Sequence, residues 1–276
     1  MLTETNHAVR VCVLGSGSKG NSTFLQYGAT KVLIDAGLSG EETIDRLTAV
    51  ATPISELQHI FITHEHDDHI KGLKKILKSF GGTLHCNAGT FRHLKHRVPE
   101  NTRVHIFTDS FDADGLHVHP FSISHDATEP VGYSFQCGEK KVSVATDMGY
   151  ASELVRTCIQ DSDILILESN HDEGMLMKGR YPWPLKQRIA SRVGHLSNRQ
   201  AGELMRDTTF SRLRWLMLAH LSEHNNMPDL AMASMSEHLQ TTAVKEQIRI
   251  HVADQHTVST VMEINDSLEM GKIEHV

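Results

Sequence analysis

The chain has 276 residues, a formal net charge of −7 and 39% apolar residues, enough for a substantial core in one large domain or two small ones. The acidic balance excludes a protein that coats nucleic acid indiscriminately, because such binding rests on neutralising phosphates, but it leaves room for a local basic groove. No apolar run has the length of a membrane span and the first ten residues lack a signal-peptide layout, so a cytoplasmic protein without a membrane partner is expected.

In chain order, strand-like runs read VRVCVLG, STFLQYG, KVLIDAG, HIFITHEH, TLHCN, HVHPFSISHD, VGYSFQCG, KVSVATD, DILILES, WLMLAHLS and IRIHVAD. Their β-branched content and short apolar lengths suit strands better than helices. FQCGEKKVSV reads as a hairpin turning at Gly138-Glu139-Lys140. Between the strands, Ser39 with Glu42 forms a capping box ahead of Ile44, Leu47 and Val50, and Ser197 with Gln200 forms another ahead of Leu204. A helix is expected through IKGLKKILKSF up to Gly81-Gly82, and another after Pro228. Strands in two groups with interspersed helices suggest stacked sheets flanked by helices, an α/β sandwich. Cys12, Cys86 and Cys137 lie in strand-like runs, and with Cys158 they form no CxxC pair, so buried free thiols are expected.

The strand-like runs share a regularity. KVLI ends at Asp35, HIFIT at His64, FSIS at His125, VSVAT at Asp147, DILIL at Glu168 and WLMLA at His220. Apolar strands that each deliver a metal-type ligand at the carboxyl end predict convergence of those ends at one rim. The densest stretch is FITHEHDDHIKG, where His64, His66, Asp68 and His69 fall within six positions. Residues two apart in extended chain face one side, so His64 and His66 can share a target while Asp68 and His69 reach a second. Imidazole suits zinc and carboxylate admits manganese.

This HxHxDH pattern resembles the signature of the metallo-β-lactamase superfamily, a four-layer αββα sandwich with a dinuclear site at one edge. The resemblance implies a ligand set. One metal would take His64, His66, His125 and Asp147; the other would take Asp68, His69, Asp147 and His220. Asp35 would steady the ligand loop without touching metal. The segments GSGSKGNSTFLQ, THEHDDHIKGL, SHDATEPVGYSF, ATDMG, ESNHD and LAHLSEHNN together are similar to the YycJ/WalJ (VicX) group, single-domain members that act as 5′-to-3′ DNA exonucleases. That similarity covers roughly residues 10–255 and implies one domain over 1–276. It implies two divalent ions, zinc or manganese, a nucleic acid substrate with DNA favoured over RNA, and phosphodiester hydrolysis by a metal-activated hydroxide. An RNase Z-like RNA nuclease or a small-molecule (thio)ester hydrolase is the alternative.

GHLSNRQA resembles the RNase Z-type segment whose histidine sits beside the scissile phosphate, which gives His195 a catalytic role beside Asp68. LESNHDEGML resembles the acid-and-histidine segment before it, with Glu168 and His171 in support. KGRYPWPLKQRIASRVGH adds Lys178, Arg180, Lys186, Arg188 and Arg192, interleaved with Tyr181 and Trp183. Cations and aromatics so placed fit a surface that guides a strand. Lys71 to Lys78 instead reads as the exposed face of a helix. The glycine-rich turn Gly15–Asn21 is expected to connect two strands, with phosphate contact as the lesser reading. Oligomeric state is not legible in the sequence.

Overall fold

In β1 (Val9–Gly15), Val11 and Val13 point into one apolar layer, and Cys12 and Leu14 into another. The period of two places successive side chains on opposite faces, so a strand apolar at both parities must be covered on both sides. The computed structural model, which describes residues 8–240, 242 and 247–265, shows what covers them. β1 belongs to a seven-stranded sheet in the order β14-β1-β2-β3-β4-β5-β6. Its other members are β2 (Ser22–Tyr27), β3 (Thr30–Ile34), β4 (His59–Phe61), β5 (Thr83–Cys86), β6 (Arg103–Ile106) and β14 (Met262–Ile264). The second sheet runs β13-β12-β11-β10-β9-β8-β7. It comprises β7 (Phe111–Ala113), β8 (Leu116–Ser122), β9 (Val131–Cys137), β10 (Lys140–Ala145), β11 (Ile164–Glu168), β12 (Trp215–Ala219) and β13 (Arg249–Val252).

The two sheets face each other across a layer that includes Val11, Leu25, Ile34 and Phe61 from the first and Tyr133, Phe135, Val144, Ile166 and Met217 from the second. Outside the first sheet lie α1 (Gly40–Ala49), α3 (Leu73–Ile76) and α4 (Ala88–Leu94), whose Leu47, Leu73, Ile76 and Leu94 cover Leu33, Ile60 and Leu84. Outside the second lie α5 (Glu153–Ile159), α8 (Asn198–Asp207) and α9 (Pro228–Leu239), which bury Leu165, Leu167, Leu216 and Leu218. The architecture is therefore the expected αββα sandwich. The ends of a chain domain drawn over 1–276, including the tail 270–276, lie outside the described residues.

Each of the eleven strand-like runs contains a strand, and both capping boxes form. The hairpin is tighter than expected. Cys137 pairs with Lys140, leaving a two-residue turn in which Gly138 takes φ 60°. The helix expected after the ligand segment is split into α2 (Asp67–Ile70) and α3, with Gly72 between them. A Cβ on Gly72 would lie 2.4 Å from the Leu38 carbonyl, so the chain is pressed against the loop after β3 and cannot continue as one regular helix. All four cysteines are buried and free. The lysines of this stretch are exposed while Leu73, Ile76 and Leu77 are buried, as an amphipathic face requires. Among the described residues, no helix is long and apolar enough to cross a membrane.

β3 to β6 are mutually parallel, and so are β10 to β13. Parallel neighbours end on the same side, so both sheets offer their carboxyl ends to one rim. The ligand segment, the connection after β10 and the connection after β12 all start there.

Candidate metal centre and its cleft

Among the described residues the rim gathers the donor groups His64/His66/His125 and Asp68/His69/Asp147/His220, with Asp147/Glu168/His195/His220 overlapping the second; within each, one donor atom per residue lies within 4.8 Å of the others. Asp35, Asp147 and His220 each follow a strand and adopt left-handed backbone, with φ of 60°, 62° and 56°. That turn folds the chain end sharply and aims a side chain that would otherwise leave the sheet back across the rim.

The loops beneath are fastened by backbone bonds. Asn21 N–H donates to the Asp68 carbonyl at 2.7 Å, Ala36 N–H to that of His69 at 2.8 Å, and Gly72 N–H to that of Ala36 at 2.8 Å. The approach is close enough that a Cβ on Gly37 would lie 1.6 Å from the Asp68 carbonyl oxygen. Tyr133, from the opposing sheet, donates its hydroxyl to the Ile62 carbonyl at 2.7 Å and so ties the ligand strand across the core.

Four of the histidines have Nδ1 engaged from outside the group. His64 Nδ1 meets Thr63 Oγ1 at 3.0 Å, His69 Nδ1 the Asp35 carboxylate at 2.8 Å, His125 Nδ1 the Gly194 carbonyl at 3.1 Å, and His220 Nδ1 the Glu168 carboxylate at 2.9 Å. An Nδ1–H donated outward leaves the lone pair on Nε2, the atom free to ligate. His66 is the exception, turning Nδ1 inward to 3.2 Å from His125 Nε2. Asp147 spans the two groups: Oδ1 is 3.9 Å from His125 Nε2 and Oδ2 is 3.3 Å from His69 Nε2.

These residues fit a divalent cation on two observations. His64 Nε2, His220 Nε2 and Asp147 Oδ2 are buried without a hydrogen-bond partner, a costly arrangement unless an ion satisfies them. Electrostatics agree. Burial would push the His220 imidazole down, but the surrounding carboxylates of Asp147, Asp68 and Glu168 raise it to about 10. Burial would likewise lower His69, yet Asp147, Asp35 and Asp68 hold it well above its ordinary value. The acidic group thus favours positive charge at its centre, which a divalent ion would supply. His64 behaves oppositely: burial first, then neighbouring His69, drives it well down, leaving the neutral imidazole a metal needs.

Glu168 organises the second half of the site. Fully buried at the end of β11, it takes His195 Nδ1–H at 2.7 Å and His220 Nδ1–H at 2.9 Å on Oε1. Its Oε2 takes Met148 N–H at 2.8 Å and Leu196 N–H at 3.0 Å. Burial would raise this carboxyl; the charge and hydrogen bonds of His195, with the bond from His220, bring it down to about 2. A carboxylate saturated by four donors is committed to orienting histidines. With Nδ1 so held, His195 keeps Nε2 for the cleft it lines.

A model of the β-lactamase superfamily domain matches residues 30–220 of this chain. The chain belongs to the β-lactamase superfamily. Exodeoxyribonuclease YycJ of Bacillus anthracis is 37% identical over 248 residues, covering 88% of this chain and 94% of the relative. A ribonuclease Z of Halorubrum lacusprofundi is 27% identical over 46% of the chain and 47% of the relative. In three dimensions the metallo-β-lactamase fold protein YhfI of Bacillus subtilis superposes with a TM-score of 0.70 at 17% identity, over 91% of this chain and 99% of that one. This last likeness supports the fold alone. The sandwich is thus the superfamily fold, and its donor clusters are those of a metal-dependent hydrolase.

Beside these donor groups opens a cleft of about 260 Å³, lined among others by Asp68, Asp147, His195 and His220 and, from the α7 side, by Tyr181, Leu185 and Arg188. The basic run divides here. Lys178, at the end of α6 (Glu173–Lys178), and Arg180, between α6 and α7 (Trp183–Ile189), are exposed. Arg188 reaches the cleft, and Arg192 is exposed with its guanidinium 4.1 Å from the centre of the Tyr150 ring. Lys186 departs from expectation: it is buried and donates to the Met177 carbonyl at 2.7 Å, tying α7 to α6 instead of meeting solvent. Trp183, at 59% exposure, lies off the α7 stripe that faces the cleft. His171 is buried with Nδ1 unpartnered, and burial lowers it to about 4. Its contact with the His195 segment runs through the backbone, where its carbonyl accepts Asn198 N–H at 2.8 Å.

Sequence reasoning missed several contributors. Thr63 donates both N–H and hydroxyl to Asp35 at 2.9 Å and so couples three ligand-loop residues. Asn21 donates from Nδ2 to the Asp68 carboxylate at 3.3 Å and accepts Gly17 N–H at 2.9 Å. The glycine-rich turn that carries Asn21 spends its amides internally: Gly20 N–H reaches the Gly17 carbonyl and Lys19 N–H reaches Gln255 Oε1. It is the connecting turn expected, and a brace for Asp68. Asp126, beside His125, was also passed over; it grips Arg188 through both carboxylate oxygens.

Proposed function

We propose that this superfamily member is a phosphodiesterase using two divalent ions, zinc or manganese, that degrades DNA stepwise from the 5′ end as a single-domain cytoplasmic enzyme. The observation that carries the reading is the coupling of the Asp68/His69/Asp147/His220 group to His195, through the Glu168 carboxylate that holds both His220 and His195, at the wall of an open cleft. A lone metal hydrolase site needs no such histidine; a charged leaving group gives it work. The YycJ relative, an exodeoxyribonuclease matched over most of both chains, supports DNA over RNA. The ribonuclease Z likeness covers under half of either chain, which ranks RNA processing second.

His64, His66, His125 and Asp147 would hold one ion, and Asp68, His69, Asp147 and His220 the other. When bound, such a pair supplies Lewis-acid stabilisation of a phosphoryl group and acidified water. The chain's residues do the rest. Asp68, mostly buried at the cleft wall and braced by Asn21, is placed to take a water proton and orient the lone pair. His195, its Nδ1–H fixed on Glu168, presents Nε2 to the phosphoryl oxygens or the departing oxygen. Lys178, Arg180, Arg188 and Arg192 would guide the strand; Lys186 keeps the helices that carry them together.

The test compares native protein with Asp147→Asn on end-labelled DNA duplexes, single strands and a structured RNA, with manganese or zinc. Stepwise shortening of DNA from one end by the native protein alone supports the proposal, and the label gives polarity. Cleavage of RNA only would transfer the reading to RNA processing. Metal-loaded protein that leaves all three intact would refute a nuclease and direct attention to small esters and thioesters.

A further inference from the structure

Arg188 stands on α7 at the wall of the cleft, with its guanidinium already occupied. Nε donates to Asp126 Oδ2 at 2.6 Å and Nη2 to Asp126 Oδ1 at 2.9 Å, a forked pair using both carboxylate oxygens. The same Oδ1 lies 3.5 Å from His125 Nε2 and 4.0 Å from His66 Nε2. The Asp126 carboxylate therefore lies between a fixed cation and the histidine group that would hold the first ion. It engages Arg188, the arginine among the residues that line the cleft.

A guanidinium fork fits a carboxylate and a phosphate by the same two parallel hydrogen bonds, so the two anions compete for it. The pair is accessible, with 44% of the Arg188 and 30% of the Asp126 side chain exposed, so exchange demands no unfolding. An exposed ion pair is a weak lock.

We infer that Asp126 is an internal stand-in for a substrate phosphate: it occupies Arg188 in the resting enzyme and yields it when the nucleic acid backbone enters. The inference rests on the nuclease reading above and adds a specificity device to it. A polyanion with successive phosphates displaces Asp126. An uncharged ester cannot. Asp126 is a positioning residue here, acting through Arg188 and touching no reacting atom.

The test is steady-state kinetics of the metal-loaded enzyme on a labelled oligonucleotide at several salt concentrations, for native protein, Asp126→Asn, Arg188→Ala, Arg188→Lys and the double variant Asp126→Asn/Arg188→Ala. Asp126→Asn is expected to lower KM by about three- to fivefold, the scale of an exposed ion pair, with the change in KM exceeding that in kcat. Arg188→Ala is expected to raise KM and to reduce the salt dependence by about one phosphate contact. Arg188→Lys should recover part of the loss, and Asp126→Asn should have no effect once Arg188 is gone. An unchanged or raised KM in Asp126→Asn overturns the inference while leaving the nuclease reading intact. Loss of bound metal in Asp126→Asn, measured by elemental analysis, also overturns it, because Asp126 would then be a ligand. Native protein inactive on every nucleic acid refutes the nuclease reading, and this inference with it. If RNA alone is cut, the same comparison is made on RNA.

Discussion

Replacing Glu168 with glutamine preserves shape and removes only a charge, yet the structure predicts a large effect. Four N–H groups converge on this carboxylate: His195 and His220 on one oxygen, Met148 and Leu196 on the other. A glutamine offers one carbonyl, so two donors must face its amide. If these are Met148 and Leu196, two buried backbone N–H groups lose their acceptor, each at about 1–3 kcal/mol, for a total of roughly 3 kcal/mol. If they are the histidines, His220 must change tautomer, place its proton on Nε2 and lose the lone pair aimed at the ion. A carboxyl held at about 2 against an ordinary 4.5 gives the same scale, roughly 3 kcal/mol at neutral pH. Urea melts of chelator-treated native and Glu168→Gln protein at pH 7 measure the first cost. Calorimetric titration with manganese or zinc measures the second, expected as a loss of about tenfold to a hundredfold in affinity. A variant within about 0.5 kcal/mol of native stability, with full metal affinity, would refute the orienting role assigned to Glu168.

Further outcomes can be checked separately. Asp147→Asn should lose at least one ion by elemental analysis and nearly all activity, since that carboxylate reaches both donor groups. Asp35→Asn should weaken metal binding by about tenfold or more, because it turns an amide toward His69 Nδ1–H or Thr63; unaltered affinity would count against the fixed tautomer. Gly37→Ala brings a Cβ to 1.6 Å from the Asp68 carbonyl oxygen and is expected to destabilise by more than about 4 kcal/mol, or to abolish soluble expression. Away from the rim, His85 is buried between His59 and His105 at 2.9 and 3.1 Å, and burial followed by those neighbours lowers it to about 3. Its folded value lies below the unfolded one, so the unfolded chain binds the extra proton between pH 6.5 and about 3. Stability contributed by this site is complete above that window and falls with acid by up to about 1.4 kcal/mol per pH unit; His85→Phe, which stacks similarly but does not titrate, should flatten that slope in urea melts.

The strand ends were the legible part of the site. Asp35, His64, His125, Asp147, Glu168 and His220 could be assigned to one rim because each closes an apolar run, and parallel pairing turns that linear regularity into proximity. Glu168 had stronger grounds than its neighbour His171, whose burial serves the backbone. Thr63, Asn21 and Asp126 left no such trace. Their roles depend on which loop crosses which, and a threonine before a histidine is ordinary in sequence. The elements missed were weak for physical reasons. β6, RVHI, is an edge strand with exposed ends and a histidine and arginine among four residues. β14 spans three residues and gains its pairing from β1, some 250 positions away. α6 and α7 are six and seven residues long, too short for a convincing apolar period. Lys186 was misplaced by treating a basic run as one surface, although a helix distributes its residues around every side.

The left-handed backbone at Asp35, Asp147 and His220 sets stability against activity in this chain. Outside glycine such a conformation costs up to about 1–2 kcal/mol per residue, with asparagine, aspartate and histidine at the low end. Three strained hinges at the working rim mean that the fold carries a standing internal load on behalf of its chemistry. Substitution by glycine at Asp147 or His220 would release that load and remove a buried, ion-hungry group at once. Inactive descendants of this enzyme should therefore outlast their parent on heating when both are stripped of metal, and selection for thermal endurance alone would steer the lineage toward a silent sandwich.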